Sequence, residues 1–113
     1  SYFKALTDKQ LSKALQLIHR QADKEWTVDL LANEIGLSRT AFYNRFNELV
    51  GEAPIKYLYK WRMMQAKQKL IDTQKSINHI AEEVGYQSDS AFQKAFKRFF
   101  NLTPASVRKN NKS

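Results

Sequence analysis

The sequence contains an internal repeat, and this repeat constrains the fold more than any other feature. Five residues recur in kind at an offset of 49: Val28, Leu31, Ala32, Ile35 and Gly36 match Ile77, Ile80, Ala81, Val84 and Gly85. Five more recur at an offset of 50: Ser38, Ala41, Phe42, Phe46 and Pro54 match Ser88, Ala91, Phe92, Phe96 and Pro104. One additional residue near Gln87 explains the change of offset. A fixed period of this kind indicates two copies of one supersecondary unit.

Each copy has the pattern of a short helix, a tight turn and a longer helix. Apolar residues fall at helical spacing in both segments. The predicted N-caps of these helices are Thr27, Ser38, Ser76 and Ser88. Ala32 and Ala81 allow the helices of each pair to cross closely, and Gly36 and Gly85 supply the backbone angles of the turn. This is the pattern of a helix-turn-helix motif, and its repetition makes the prediction much stronger than one copy would.

The remaining segments are also predicted to be helical. Thr7-Asp8-Lys9-Gln10 fits a capping box at the start of a helix that ends near Ala22. Gly51 suits a left-handed helix end, and an unbroken linker helix is predicted from Ala53 to about Asp72. The expected fold is therefore all-α, with about seven helices. The expected divisions are a first helix-turn-helix subdomain (1–52), the linker helix (53–73), and a second subdomain with a basic tail (74–113).

The positive charge of the chain is clustered. Nineteen Lys and Arg against eleven Asp and Glu give a net charge of +8, and the excess lies in two stretches without acidic residues, 53–71 and 90–113. Such clustering suits a polyanion, because neutralised phosphates release their condensed counterions. A solvated basic face of a protein with another function is the alternative at this point.

The residue types argue against an enzyme. The chain has no cysteine and only two, isolated, histidines, His19 and His79. It also lacks a Ser/His/Asp set, a phosphate-binding glycine loop and paired carboxylates on one face. No metal or other cofactor is predicted. No stretch approaches the roughly 18 apolar residues needed to cross a membrane, and the lack of cysteine favours a cytoplasmic location.

The longer helix of each copy is predicted to bury its phenylalanines and to expose the opposite face. That face carries Arg39, Thr40, Tyr43, Asn44 and Asn47 in the first copy and Asp89, Ser90, Gln93, Lys94 and Lys97 in the second. Side-chain amides pair with adenine and lysine reaches guanine acceptors, although a generic polar helix face has a similar composition. The predicted linker is about 30 Å long, close to the roughly 34 Å pitch of B-DNA. One chain is therefore expected to place both recognition helices in adjacent major grooves.

From about Leu11 to Arg108, the chain resembles the C-terminal DNA-binding domain of AraC/XylS-type transcription regulators. The matching stretches include Ser38-Arg39, Arg45-Phe46, Val84-Gly85-Tyr86, Ser88-Asp89-Ser90, Phe96-Lys97-Arg98 and Thr103-Pro104. The departures are Ala91 and Val107, where aromatic residues are common, and Asn101, where glycine is usual. Asparagine tolerates the left-handed conformation, so this last departure is mild.

The resemblance implies roles for the exposed residues. Base contacts are expected from Thr40, Tyr43, Asn44, Asp89, Ser90, Gln93 and Lys94. Phosphate contacts are expected from Arg39, Arg45, Asn47, Arg62, Lys97 and Arg98. Two alternatives stay open: Asp89 can instead interact with the helix dipole, and Arg62 can instead form an internal ion pair.

The resemblance also implies partners for the chain. These are double-stranded DNA, RNA polymerase and an upstream cupin-like ligand-sensing domain absent from this chain. The sensing domain is expected because Ile18-His19, Trp26-Thr27-Val28 and Trp61-Arg62-Met63 resemble a subgroup that carries one. The predicted function is a sequence-specific DNA-binding domain of a bacterial transcription regulator. A helical adaptor for a protein partner and a non-specific architectural DNA-binding protein are the alternatives.

Overall fold

The computed structural model describes residues 2–111, with side chains from residue 3 onward, and within that range it consists of eight α-helices without strands. The helices are α1 (Tyr2–Thr7), α2 (Lys9–Arg20), α3 (Val28–Glu34), α4 (Arg39–Val50), α5 (Pro54–Asp72), α6 (Ile77–Glu83), α7 (Asp89–Phe100) and α8 (Pro104–Asn110). The all-α prediction is confirmed, with a long helix between two helix-turn-helix units. The additional helix is α1, which the sequence analysis did not anticipate.

The start of α2 differs from the predicted capping box. The N-cap is Asp8 rather than Thr7, and its Oδ1 accepts from the backbone N–H groups of Gln10 and Leu11, at 3.0 Å each. Thr7 instead ends α1, where its hydroxyl donates to the carbonyl of Lys4. A carboxylate at this position satisfies two free N–H groups and also complements the positive end of the helix dipole. The aspartate therefore outcompetes the threonine hydroxyl.

The other predicted helix ends are confirmed. Each predicted N-cap accepts from the backbone N–H three residues later, at 3.0–3.1 Å: Thr27, Ser38, Ser76 and Ser88. Thr103 caps α8 in the same way, at 3.1 Å. Gly51 ends α4 with φ 97°, and Asn101 ends α7 with φ 60°. Both are left-handed conformations, so Asn101 adopts the backbone geometry for which glycine is usual at this position.

The described chain forms two compact units, and the boundary between them lies inside α5, at Tyr59 and Lys60. The core of the first unit is made by α1, α2, α3 and α4, and its fully buried residues include Leu11, Leu15, Ile18, Leu31, Phe42 and Phe46. The core of the second unit includes Met63, Ala66, Ile80, Phe92 and Phe96, all fully buried. The phenylalanines of both repeats therefore face the cores, as the repeat predicts.

A polar network joins three elements of the first unit. The guanidinium of Arg45, on α4, forms an ion pair with the carboxylate of Asp8 and donates from Nη1 to Oε1 of Gln10, at 3.0 Å. The Nε2 of Gln10 donates in turn to the backbone carbonyl of Ile35, at 3.0 Å. The start of α2, the end of α3 and the middle of α4 are thus linked by side chains with defined partners.

This network predicts that Asp8→Ala destabilises the first unit. The variant loses a helix cap, which typically costs about 1–2 kcal/mol, and also leaves Arg45 without its carboxylate. Burial raises the pKa of Asp8, but the N–H groups of Leu11 and Gln10 and the charge of Arg45 outweigh burial and hold the pKa below its ordinary value. The stabilisation is therefore complete at neutral pH and is lost as the pH falls through the lowered pKa of the folded state.

Urea denaturation of the wild type and of Asp8→Ala across the acid range measures this effect. The difference in unfolding free energy should be largest near neutral pH and should shrink as the pH falls. Asp23→Ala is the matched control, because Asp23 is an exposed acid in the connection after α2. Equal losses in the two variants, or a pH-independent difference, would contradict the role given to Asp8.

Candidate nucleic-acid interface

The two turns that precede the recognition helices α4 and α7 have the same hydrogen-bond pattern. In the first, Gly36 N–H donates to the carbonyl of Asn33 and Leu37 N–H to that of Ala32, at 3.2 and 3.0 Å. In the second, Gly85 donates to Glu82 and Tyr86 to Ala81, at 3.0 and 2.9 Å. These paired bonds define a Schellman motif around a left-handed glycine.

The spacing after this motif explains the change of offset in the repeat. The serine cap follows the glycine by two residues in the first turn, at Ser38, and by three in the second, at Ser88. The additional residue is Gln87, as the sequence analysis predicts. Both turns therefore end one helix and start the next with the same chemistry, despite their different lengths.

The exposed face of α4 carries four of the residues predicted to contact DNA. Arg39, Thr40, Tyr43 and Asn44 are all exposed and together line a shallow concavity. The guanidinium of Arg39 lies 3.2 Å from the carboxylate of Asp29, and both side chains are about two-thirds exposed. An ion pair in such a setting is weak, so Arg39 can exchange this partner for a phosphate at little cost.

The exposed face of α7 differs in chemistry from that of α4. Ser90, Lys94, Lys97 and Arg98 are exposed, whereas Asp89 and Gln93 are half-buried. The Nε2 of Gln93 donates to Oδ1 of Asp89 at 3.1 Å, one helical turn toward the start of the helix. The second recognition face thus combines free cations with an amide whose orientation is already constrained.

Three predicted phosphate-binding residues lie in less exposed positions. Arg45 is half-buried and engaged with Asp8 and Gln10. Arg62 is half-buried and makes a cation–π contact, with its guanidinium 5.9 Å from the ring centroid of Tyr86. Asn47 is half-buried on α4.

Two polar arrangements of the second unit have no counterpart in the sequence predictions. Arg108 donates from Nε to the carbonyl of Leu70 and from Nη2 to that of Thr73, at 3.2 Å each. It therefore caps the end of α5. The carboxylate of Glu83 receives Lys75 Nζ at 2.8 Å and lies 3.4 Å from Lys69 Nζ. The Lys75 hydrogen bond, opposed by burial and assisted by Lys69, lowers the pKa of Glu83. These contacts join distant residues, which local sequence patterns do not reveal.

Two helix-turn-helix units with exposed polar and basic recognition helices define a DNA-binding protein of the helix-turn-helix class. A family model described as a helix-turn-helix domain matches residues 31–110. The chain belongs to this family, which is a helix-turn-helix domain of the AraC type. It is the DNA-binding domain of an AraC-family transcription regulator. Within the described residues, none of the helices combines the length and the apolar character that a bilayer span requires.

The similar proteins agree with this assignment. The chain is 40% identical, over 111 residues, to the HTH-type transcriptional regulator AlkR of Acinetobacter baylyi, covering 98% of this chain and 36% of that protein. It is similar to the crystal structure of an AraC-type transcriptional regulator from Chromobacterium violaceum, with a TM-score of 0.84, 28% identity and coverage of 96% and 97% of the two chains. It is also similar to the DNA-binding domain of AdpA in complex with a target DNA, with a TM-score of 0.83, 27% identity and coverage of 88% and 89%. The chain spans about a third of the length of the curated relatives it matches.

The exposure of the recognition faces predicts that base-reading and phosphate-binding residues can be separated by mutation. Asn44→Ala should cost about 1–3 kcal/mol on a site selected from random duplex DNA and little on random DNA itself. Lys97→Ala is the matched control on the other recognition helix and should weaken both kinds of DNA to a similar extent. Fluorescence anisotropy at one fixed salt concentration measures the affinities of the wild type and of both variants for both DNAs. Equal loss on both DNAs in Asn44→Ala would show that Asn44 does not read a base.

Proposed function

We propose that this domain binds double-stranded DNA sequence-specifically in the bacterial cytoplasm, that it has no enzymatic activity, and that both recognition helices contact one DNA. The observation that carries the proposal is the duplicated turn, which presents two exposed faces of different chemistry on α4 and α7. A non-specific architectural protein needs cations but not a defined set of amides and hydroxyls. Such groups suit the donor and acceptor pattern of base edges in the major groove.

The two recognition helices occupy adjacent major grooves in this proposal. The continuity of α5 over 19 residues supports it, because a helix of that length spans about 28 Å. This distance is close to the roughly 34 Å between successive major-groove faces of B-DNA. A helix without an internal break acts as a spacer of defined length, unlike a flexible tether.

The DNA-contacting residues fall into two groups in this proposal, according to what they contact. Thr40, Tyr43, Asn44, Ser90, Gln93 and Lys94 contact base edges. Arg39, Lys97 and Arg98, which are exposed cations, hold phosphates and position the domain, with Asn47 at the edge of the α4 face. Arg45 and Arg62 act inside the two units instead, since their guanidinium groups have protein partners.

The whole regulator contains more than this domain in our proposal. The curated relatives are about three times as long as the segment they share with the chain. We assign the remaining length to a cupin-like ligand-sensing domain upstream, and we assign RNA polymerase as a protein partner at the promoter. The family resemblance of the sequence supports both assignments.

The adjacent-groove proposal predicts a strict dependence on half-site spacing. Inserting about five base pairs between the half-sites rotates one of them to the opposite side of the duplex. Binding should fall to that of one unit, losing several of the roughly 4–10 kcal/mol that separate specific from non-specific complexes. Inserting about ten base pairs returns both half-sites to the same side of the duplex. It also increases the distance between them by about 34 Å, so affinity should stay low.

A gel-shift series on sites with each insertion measures this dependence. Duplexes of equal length with the insertion outside the site are the matched controls and should bind like the original site. Full recovery of affinity at the ten-pair insertion would mean that α5 acts as a flexible connection. Unchanged binding at all spacings would mean that only one unit reads DNA.

The exposed cations predict a steep salt dependence, which distinguishes a DNA-binding domain from a protein adaptor. Basic residues near both recognition helices and at the C-terminus lead us to expect about six phosphate contacts, so affinity should fall roughly a thousandfold between about 50 and 200 mM salt. Lys97→Ala should reduce the slope of log affinity against log salt by about one. A flat dependence would favour the adaptor.

A further inference from the structure

The hydrogen bond between Gln93 and Asp89 restricts the donor and acceptor groups that the second recognition helix can offer to a ligand. Gln93 Nε2 lies 3.1 Å from Asp89 Oδ1, and both residues are half-buried on α7. Their spacing of four residues places them on one face of the helix. Asp89 is also the first residue of α7, directly after the cap Ser88. The acidic group is therefore placed where the helix dipole favours its negative charge.

The carboxylate determines which way the amide of Gln93 points. An ionised carboxylate only accepts hydrogen bonds, whereas an amide has a donor end and an acceptor end. The NH₂ group of Gln93 must therefore face Asp89, and Oε1 must point away from it. The terminal torsion of glutamine is otherwise broad and roughly two-fold, so an isolated side chain samples both orientations. One N–H of Gln93 is used by Asp89, which leaves one N–H and Oε1 for a ligand.

We propose that Asp89 is a positioning residue that orients the Gln93 amide to read adenine on one particular strand; this inference rests on the proposed function. In the major groove adenine presents the N7 acceptor beside the N6 donor. The remaining N–H of Gln93 pairs with N7 and Oε1 accepts from N6. Because the order of donor and acceptor on the amide is set by Asp89, an A·T pair fits it and the reversed T·A pair does not.

The same arrangement excludes guanine. Guanine presents two acceptors, N7 and O6, at this edge, and an unconstrained glutamine can turn its NH₂ group toward both. The oriented amide places Oε1 against O6, which are both acceptors. This role also differs from the base contact expected of Asp89 in the sequence analysis, because a carboxylate that contacts a base directly would favour the N4 donor of cytosine.

The structurally equivalent positions of the first unit show that this pair is a property of the second. At an offset of 50, Asp89 and Gln93 correspond to Arg39 and Tyr43. Arg39 faces Asp29 of α3, not a residue of its own helix. An amide oriented by a carboxylate on its own helix is thus part of what makes the α7 face unlike the α4 face.

The test starts from selection of binding sites by the wild-type domain from a random duplex library. The base pair read by Gln93 is the position at which Gln93→Ala abolishes the base preference of the wild type. Affinities are then measured on four duplexes that differ only at that pair. The wild type should prefer A·T over T·A by on the order of tenfold, within the discrimination of one bidentate contact.

In Asp89→Ala the preference should fall to about twofold, because the amide samples both orientations. Asp89→Asn keeps the shape of the side chain and can accept or donate, so it should give an intermediate preference. In the Gln93→Ala background, Asp89→Ala should change no preference further. Glu82→Ala, which removes an exposed acid from the same unit, is the charge control and should leave the preference intact. Thermal unfolding of each variant separates a loss of orientation from a loss of folding.

Each outcome bears on the inference in a defined way. An undiminished A·T preference in a folded Asp89→Ala variant would overturn it while leaving the proposed function in place. A cytosine preference that depends on Asp89 in the Gln93→Ala background would also overturn it, since Asp89 would then read a base itself. Enrichment of no sequence by the wild type would overturn the proposed function and the inference together.

Discussion

The rotation of each recognition helix about its own axis is set by two phenylalanines four residues apart. Phe42 and Phe46 on α4, and Phe92 and Phe96 on α7, are fully buried. Their rings lie 5.6 and 5.7 Å apart in edge or tilted contacts. Fully burying such a side chain contributes about 1.5–3 kcal/mol, so rotating either helix to bury another face is costly. The residues assigned to DNA lie on the other side of each helix because these phenylalanines face the cores.

Only part of the positive charge behind the net value of +8 lies on the recognition helices. Arg45, Lys69, Lys75 and Arg108 have partners inside the units, either carboxylates or the carbonyls at the end of α5. Arg39, Lys94, Lys97 and Arg98 lie exposed on the recognition helices. The acidic residues Asp8 and Glu83 thus stabilise the fold and keep part of the positive charge away from the surface. The exposed basic residues of the recognition helices remain available for DNA.

Features that depend on neighbouring residues were predictable from sequence, and contacts between distant residues were not. The serine and threonine caps, Gly51 and the left-handed Asn101 all follow from the chemistry of three to six consecutive residues. The repeat is found by comparing two such segments of the sequence. The ion pair between Asp8 and Arg45 joins residues 37 positions apart, and the bond from Arg108 to Leu70 spans 38. For this reason Thr7 was expected at the cap of α2, and the ion pair of Arg45 with Asp8 was not anticipated. The pairing of Gln93 with Asp89 is local, but it depends on rotamers that helical spacing alone does not determine.

Because its two exposed faces differ, the domain has a direction when it binds DNA. The α4 face presents an arginine, a threonine, a tyrosine and an asparagine, and the α7 face presents an aspartate, a serine, a glutamine and a lysine. A duplex reads the same in both directions only at a palindrome, and two unlike faces in one chain do not match a palindrome. A single copy of the domain therefore distinguishes upstream from downstream, which a symmetric homodimer achieves only with a second asymmetric element. In the proposed complex, any partner attached to one end of this chain is therefore held on a defined side of the bound site.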